Sequence, residues 1–221
     1  MIVAIDGPAA SGKTVTAKLL AEKMNFIHLN SGLMYRALTY LLLHKKMNLD
    51  SLINEDIFNP SKIFFKGKNL NKVFFNNIDI TLELNNQEIN DNIKEISNNP
   101  EIRKKLIAFQ RLIVKNKNVI CEGRDIGSIV FPNAEFKFFL VADLQSRIER
   151  RYMQLGSSSA ITKKEVHDSI VKRDTNDKTR LVSPLIKVAD SVEVNTTSLT
   201  IDSQVKLLYS IILNKEKNDK Q

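Results

Sequence analysis

The chain has 221 residues, 43% of them hydrophobic and 26% charged, which predicts a single α/β domain with a substantial core. No apolar run approaches the roughly 18 residues of a membrane span, the single cysteine excludes an internal disulfide, and the N-terminus lacks a signal-peptide pattern, so we expect a cytoplasmic protein. The net charge of +8 is spread over a chain rich in Lys and Asn, which favours a solvated surface over a nucleic-acid-binding face.

The first elements alternate between strand and helix. Residues 2–5 form a short apolar run, as in a parallel strand that is buried on both faces. A glycine-rich loop and a helix over about 13–24 follow, and then a second strand at 26–29. Ser31 is expected to cap a helix that runs to about residue 46. The inward positions of the first helix are expected to be Val15, Leu19 and Leu20.

The segment 61–84 breaks this alternation. Its three short β-type runs are separated by turn residues, which predicts an antiparallel meander inserted into the main fold. The runs cover 63–65, 73–75 and 78–82.

The remainder returns to the α/β pattern. Helices are predicted over about 86–97, 100–115, 144–155, 163–178 and 201–213, and strands at 119–121, 136–141 and 192–194. We therefore predict a three-layer α/β/α fold with a doubly wound parallel sheet and a small antiparallel β insertion.

The loop after the first strand matches the pattern G-x-x-x-x-G-K-[ST], with a buried strand before it and a helix after it. Backbone N–H groups of such a loop point at one anion, so these eight residues are predicted to bind the phosphates of ATP. Lys13 is expected to reach the β- and γ-phosphates, and Thr14 to bind Mg²⁺ that arrives with the nucleotide. The residues are Gly7, Pro8, Ala9, Ala10, Ser11, Gly12, Lys13 and Thr14.

The loop identifies a nucleotide user but not the phosphate acceptor. The Asn-Lys-x-Asp signature of GTPases is absent, so a kinase of small metabolites is favoured over a switch or motor. In a lysine-rich chain, arginines should concentrate where a planar, bidentate donor is needed. The nine arginines therefore form a map of candidate sites: Arg36, Arg103, Arg111, Arg124, Arg147, Arg150, Arg151, Arg173 and Arg180.

Four segments resemble bacterial cytidylate kinases, in the order in which that family carries them. They are Asn30-Ser31-Gly32-Leu33-Met34-Tyr35-Arg36, Pro100 through Arg103 to Gln110-Arg111, Glu122-Gly123-Arg124-Asp125-Ile126-Gly127, and Arg173-Asp174 through Asp177 and Arg180 to Ser183-Pro184-Leu185. The resemblance runs from about residue 2 to 213. It implies a doubly wound fold of the P-loop kinase type with a short helical lid, and phosphorylation of CMP and dCMP by ATP.

The resemblance also implies roles for single residues. Arg36 and Arg124 would hold the acceptor phosphate, and Arg103, Asp125 and Arg180 would read the cytosine edge. Asp177 and Tyr35 would lie near the sugar, and Ser31 near phosphate or base. Arg173, Asp177 and Arg180 are spaced at i, i+4 and i+7, which is typical of one helix face. Lys13, Arg124, Arg147, Arg151 and Arg173 form the predicted catalytic set.

Arg147, Arg150 and Arg151 are predicted on the polar face of their helix, beside the small residues 156–160. That position favours a lid that closes over the γ-phosphate, although a plain polar face is the alternative. Arg111 and Arg150 are expected to be structural.

Several residues receive an ordinary interpretation, and two depart from the family pattern. The histidines, His28, His44 and His167, show no metal-binding or triad spacing, and Cys121 is expected in the core. Asn30 stands where the family carries Asp, and Lys94 stands where many members carry a cytosine-binding Ser.

We expect one kinase domain and a monomer, with core residues 1–30, 98–145 and 179–214, an acceptor-binding insert at about 31–97 and a lid at about 147–175. A kinase of UMP or shikimate is the alternative within the enzyme class, and a basic nucleic-acid-binding ATPase is the alternative outside it. Neither nucleic acid nor a membrane is expected as a partner.

Overall fold

The computed structural model describes residues 1–45, 47–54, 57, 62–67, 69–156 and 161–218. Its strands are β1 (Ile2–Asp6), β2 (Ile27–Asn30), β3 (Ile63–Lys66), β4 (Lys72–Phe75), β5 (Ile78–Asp79), β6 (Val119–Glu122), β7 (Phe136–Val141) and β8 (Val192–Asn195). Its helices are α1 (Lys13–Met24), α2 (Ser31–His44), α3 (Leu49–Asn54), α4 (Gln87–Ser97), α5 (Pro100–Ile113), α6 (Leu144–Leu155), α7 (Lys163–Thr179) and α8 (Ile201–Asn218).

Five strands form a parallel sheet in the order β2-β6-β1-β7-β8. Ile2 of β1 pairs with Val119 of β6, and Val3 pairs with Phe136 of β7. One apolar cluster packs α2, the insert and α5 against the sheet, and a second packs α1 and α8. The predicted parallel sheet with helices on both faces is confirmed.

The antiparallel insertion is confirmed as the sheet β3-β4-β5. Its third strand is shorter than predicted, because β5 ends at Asp79 and a 3₁₀ turn covers Leu82–Asn85. The short helix α3 was not predicted, since six residues carry too little apolar periodicity to reveal one.

The inward face of α1 was predicted correctly at Leu20, which is fully buried, and wrongly at Val15 and Leu19. Val15 and Leu19 are 40% and 38% exposed, whereas Ala17 and Ala21 are fully buried. Helix α1 packs against both α8 and β6, and such close packing favours small side chains. Thr16 also faces inward, where its hydroxyl donates to Gln204 Oε1 at 2.7 Å.

Ser31 is the first residue of α2 and not its cap, because Asn30 occupies the cap position without a side-chain hydrogen bond. The Ser31 hydroxyl instead donates to the carbonyl of Glu122 at 2.7 Å, which ties α2 to the end of β6.

Helices α6 and α7 form a hairpin with its own small apolar cluster around Ile148, Val166 and Ile170. Thr162 and Glu165 form a capping box at the start of α7, which satisfies two backbone donors. The small residues 157–160, predicted as part of the lid, lie outside the described residues. No helix in the described ranges is long and apolar enough to cross a membrane.

Candidate active site

The glycine-rich loop joins the carboxyl end of β1 to α1, at the crevice where parallel sheets bind ligands. Gly7 has φ +149°, and a Cβ there would lie 2.1 Å from the carbonyl oxygen of Leu140. Gly12 caps α1 with φ +92°. The buried Lys13 ammonium folds back over the loop, donating to the Pro8 carbonyl at 2.6 Å and to Ser11 Oγ at 3.2 Å. The local sequence thus produces a phosphate loop.

Five cations from five different elements interact electrostatically beside this loop: Lys13, Arg36, Arg124, Arg151 and Arg173. We call this set the phosphate cluster. Burial and the neighbouring arginines Arg124 and Arg36 lower the pKa of Arg173 to about 9, and burial and Arg151 lower the pKa of Arg36 to about 10. Buried like charges are costly unless an anion joins them, so the cluster suits a polyanionic ligand.

Only some of the side chains in the phosphate cluster form hydrogen bonds with other residues. Arg36 donates to the Oδ1 atoms of Asn85 and Asn90 at 3.0 and 3.2 Å. Arg124 Nε donates to Asp177 Oδ2 at 2.7 Å. Within the described ranges no hydrogen bond or ion pair holds the side chains of Arg151 and Arg173. Their guanidinium donors are therefore available to phosphate oxygens.

A second group of buried polar side chains adjoins the phosphate cluster, and we refer to it as the pocket: Tyr35, Arg103, Asp125 and Arg180. Arg103 pairs with Asp125 Oδ2 and lies over the Tyr35 ring, 5.1 Å from its centroid. Three buried donor groups have no hydrogen-bond partner among the described residues, namely Tyr35 Oη, Arg103 Nε and Arg180 Nη2. Unpaired buried donors point to a polar ligand, since such groups are otherwise satisfied.

Arg180 lies just past the end of α7, where its Nε donates to the Ser183 carbonyl at 2.6 Å. Its Nη1 lies 3.6 Å from Asp177 Oδ1, and its Nη2 lies 4.0 Å from Asp125 Oδ1. The structure therefore brings Arg173, Asp177 and Arg180 to one site.

Glu122 is the last residue of β6 and was absent from the predicted site. Its Oε2 accepts a hydrogen bond from the Thr14 hydroxyl at 2.9 Å, and its Oε1 lies 3.5 Å from His28 Nε2. Oε1 is buried without a hydrogen bond among the described residues. His28 thus contacts the site, and a carboxylate faces the threonine predicted to bind Mg²⁺.

Arg147 was predicted on the polar face of α6, and the structure corrects this by burying it against the phosphate loop. Its guanidinium donates to the Ala9 carbonyl at 3.1 Å and pairs with Asp174 Oδ2. Asp174 Oδ1 in turn accepts the Ala9 N–H at 2.9 Å. The amphipathic pattern of α6 missed this contact, because the loop covers part of that face.

The other two arginines bind backbone carbonyls. Arg111 donates to those of Ile129 and Val130, and Arg150 to those of Thr196 and Thr197. These contacts agree with the structural roles expected of both.

Lys94 is exposed on α4, and the fully buried Cys121 lies in the core, as expected. In the part of the chain that the structure describes, no three His, Cys, Asp or Glu side chains are grouped to bind a metal.

Asp6, the last residue of β1, was absent from the predicted site. Its buried carboxylate accepts the N–H groups of Ile126 and Gly127 at 2.9 and 2.7 Å. Burial and the negative Asp125 raise its pKa from 3.8 to about 6, against the lowering effect of the two amides and of Lys13. The one signal available in the sequence is an acidic residue at the end of an otherwise apolar strand.

This pKa predicts how stability depends on pH. Because the folded protein binds the Asp6 proton more tightly than the unfolded chain, the free energy of unfolding should fall as pH rises from 4 to 7. A shift of about two pKa units corresponds to roughly 3 kcal/mol. In urea titrations, the free energy of unfolding of Asp6→Asn minus that of the unchanged protein should increase by about 3 kcal/mol between pH 4 and pH 7. A pH-independent difference would contradict the raised pKa.

Comparisons with known proteins show the family to which the chain belongs. Residues 3–214 match the family model described as cytidylate kinase. The cytidylate kinase of Chloroherpeton thalassium is 37% identical over 220 residues, covering 96% of this chain and 92% of that protein. The cytidylate kinase of Fusobacterium nucleatum is 41% identical over 209 residues, covering 94% and 95%. That of Oceanobacillus iheyensis is 38% identical over 228 residues, covering 99% and 96%.

Proposed function

The chain belongs to the cytidylate kinase family, and we propose that it transfers the γ-phosphoryl group of ATP to CMP or dCMP, giving CDP or dCDP. The observation that carries this proposal is the phosphate cluster, which lies between a loop suited to a triphosphate and a buried pocket with unpaired donors. If only one nucleotide bound, either the loop or the buried pocket would remain without a ligand.

The chemistry follows from the charges. ATP and the acceptor phosphate repel each other, so fixed cations must bring them together and neutralise the transferred group. In this proposal Lys13 serves ATP, and Arg36 and Arg124 serve the acceptor phosphate. Arg173 interacts electrostatically with all three of these cations, which supports a shared role at the transferred group. An acceptor phosphate oxygen attacks directly, so no nucleophilic side chain is needed.

The pocket is suited to cytosine in particular. Asp125 can accept a hydrogen bond from an exocyclic amine, while Arg103 and Arg180 can donate to a ring carbonyl and nitrogen. Uracil carries an oxygen where cytosine carries the amine, which would place an acceptor against the Asp125 carboxylate. Asp177 lies between Arg124 and Arg180, at the sugar side of the pocket.

The residues around Thr14 fit Mg²⁺, which prefers oxygen ligands. The buried Oε1 of Glu122, which accepts no hydrogen bond among the described residues, and the adjacent Thr14 hydroxyl would hold the ion with its waters. When bound, Mg²⁺ would neutralise charge on the β- and γ-phosphates of ATP.

The hairpin of α6 and α7 is proposed as the lid, within about 147–175. It carries Arg151 and Arg173, which complete the phosphate cluster, whereas Arg147 anchors the base of the hairpin to the phosphate loop. Closure of such a hairpin would exclude water, which otherwise competes with the acceptor for the phosphoryl group.

An acceptor panel tests the proposed function. With ATP and Mg²⁺, the purified chain should phosphorylate CMP and dCMP far faster than UMP, AMP or shikimate. ATP hydrolysis that DNA or RNA stimulates, without turnover of CMP, would overturn the proposal and favour the ATPase alternative.

Arg180→Ala should raise KM for CMP roughly 10- to 100-fold and reduce the preference for CMP over UMP. The reason is that a buried charged donor to the base is lost, at about 1.5–3 kcal/mol. KM for ATP should change little. The matched control is Leu181→Ala, because Leu181 is the next residue in the chain and its side chain is fully exposed. Unchanged CMP kinetics and base preference would remove Arg180 from the base-reading site.

A further inference from the structure

The segment 123–127 is tied to β1 at both of its ends. The N–H of Gly123 donates to the carbonyl of Ile5 at 3.0 Å, and the N–H groups of Ile126 and Gly127 donate to the Asp6 carboxylate. Arg124 and Asp125 project from the span between these ties. The backbone of this span is thus set by the last two residues of β1.

β1 continues directly into the phosphate loop at Gly7. The end of β1 therefore determines the position of the phosphate loop and of Arg124 and Asp125, the two side chains proposed to bind CMP.

The Asp6 carboxylate is expensive to bury. It is 5% exposed and forms no ion pair within 4 Å among the described residues. Its charged surroundings are Asp125 on the loop and Lys13 on α1, and the Cys121 thiol on β6 also faces it. A buried charge with backbone amides as its hydrogen-bond donors is a poor choice for stability alone. Such a cost is typical of functional positions.

We propose that Asp6 is a positioning residue for the acceptor nucleotide: it holds the 124–125 span so that Arg124 and Asp125 meet CMP at a fixed place relative to the phosphate loop. This inference deepens the proposed function and rests on it. Asp6 touches neither nucleotide and acts only through the backbone of the loop.

The test compares two buried carboxylates that each hold a backbone N–H. Asp6 accepts hydrogen bonds from the segment 123–127, which we call the acceptor loop, and Asp174 accepts the N–H of Ala9 in the phosphate loop. In Asp6→Asn the side-chain NH₂ replaces one carboxylate oxygen and cannot accept a hydrogen bond. One of the two charge-assisted hydrogen bonds from the N–H groups of Ile126 and Gly127 is therefore lost. Asp6→Asn should raise KM for CMP about 10- to 100-fold while KM for ATP changes less than about threefold. Asp174→Asn should show the opposite pattern.

Asp202→Asn serves as the neutral control, because Asp202 is an exposed partner of Lys206 on α8. If Asp6→Asn does not fold, Asp6→Glu keeps the charge but lengthens the side chain by one methylene, which shifts the loop, and it should show the same selective rise in KM for CMP. Equal changes in both KM values, or none, would overturn the inference.

Amide hydrogen exchange gives a readout that does not depend on turnover. In the ligand-free protein, the amides of Ile126 and Gly127 should exchange at least about tenfold faster in Asp6→Asn than in Asp174→Asn. Unchanged exchange in Asp6→Asn would overturn the inference even if CMP is the substrate. Absence of CMP turnover by the unchanged protein would overturn the proposed function instead, and with it the role given to Asp6.

Discussion

Lys13→Met should lower kcat for phosphoryl transfer to CMP by roughly a thousandfold or more. The ammonium is the one cation of the phosphate cluster inside the phosphate loop, and single cations on the transferred group can be worth 10³-fold or more. Burial, together with Arg124, lowers the pKa of Lys13 well below its usual range, so the free protein holds this charge at a cost that nucleotide phosphates would relieve.

Methionine retains most of the aliphatic stem and removes the charge, so the fold should survive. Near-normal far-UV circular dichroism would verify this, and steady-state kinetics would measure the loss. Lys18→Met is the matched control, since Lys18 lies on the same helix with an exposed side chain. A kcat within tenfold of the unchanged protein would show that Lys13 does not stabilise the transferred phosphoryl group.

The parallel sheet could be predicted from sequence because its strands are buried on both faces and therefore apolar throughout. β7 and α6 begin and end where the pattern placed them. The inward face of α1 could not be predicted from hydrophobicity, because tight packing there selects Ala17 and Ala21 over Val15 and Leu19.

The arginine map identified most of the site. Six of the nine arginines lie in the phosphate cluster or the adjoining pocket, and a seventh, Arg147, contacts the phosphate loop. The sequence could not show that Arg147 is buried, because Asp174 and the Ala9 carbonyl that receive it lie 27 and 138 positions away. Helical periodicity shows how side chains are arranged around one helix, but it does not show which other segments cover each face.

The carboxylates Asp6 and Glu122 were missed for a related reason. Each ends an apolar strand, and the side chain's hydrogen-bond partners are groups more than 100 positions distant. Only the strand order, which places the ends of β1 and β6 side by side, reveals that both residues face the site.

Arg124→Ala should lower kcat/KM for CMP by about a thousandfold, because Arg124 belongs to both the phosphate cluster and the acceptor loop. Steady-state kinetics with varied CMP measures the loss. Arg111→Ala is the control: its guanidinium binds carbonyls just after the same loop, and kcat/KM should stay within about threefold.

The Arg124 variant has a second consequence that separates catalysis from stability. Asp177 would lose the Nε donor 2.7 Å away and keep the longer ion pair with Arg180 Nη1 at 3.6 Å, so part of any destabilisation reflects a buried carboxylate that is less well paired. In Arg124→Ala/Asp177→Asn the free energy of unfolding should recover by about 1–3 kcal/mol relative to Arg124→Ala, while kcat/KM stays low. Recovery of kcat/KM together with stability would mean that Arg124 serves the fold through Asp177 and not the acceptor phosphate.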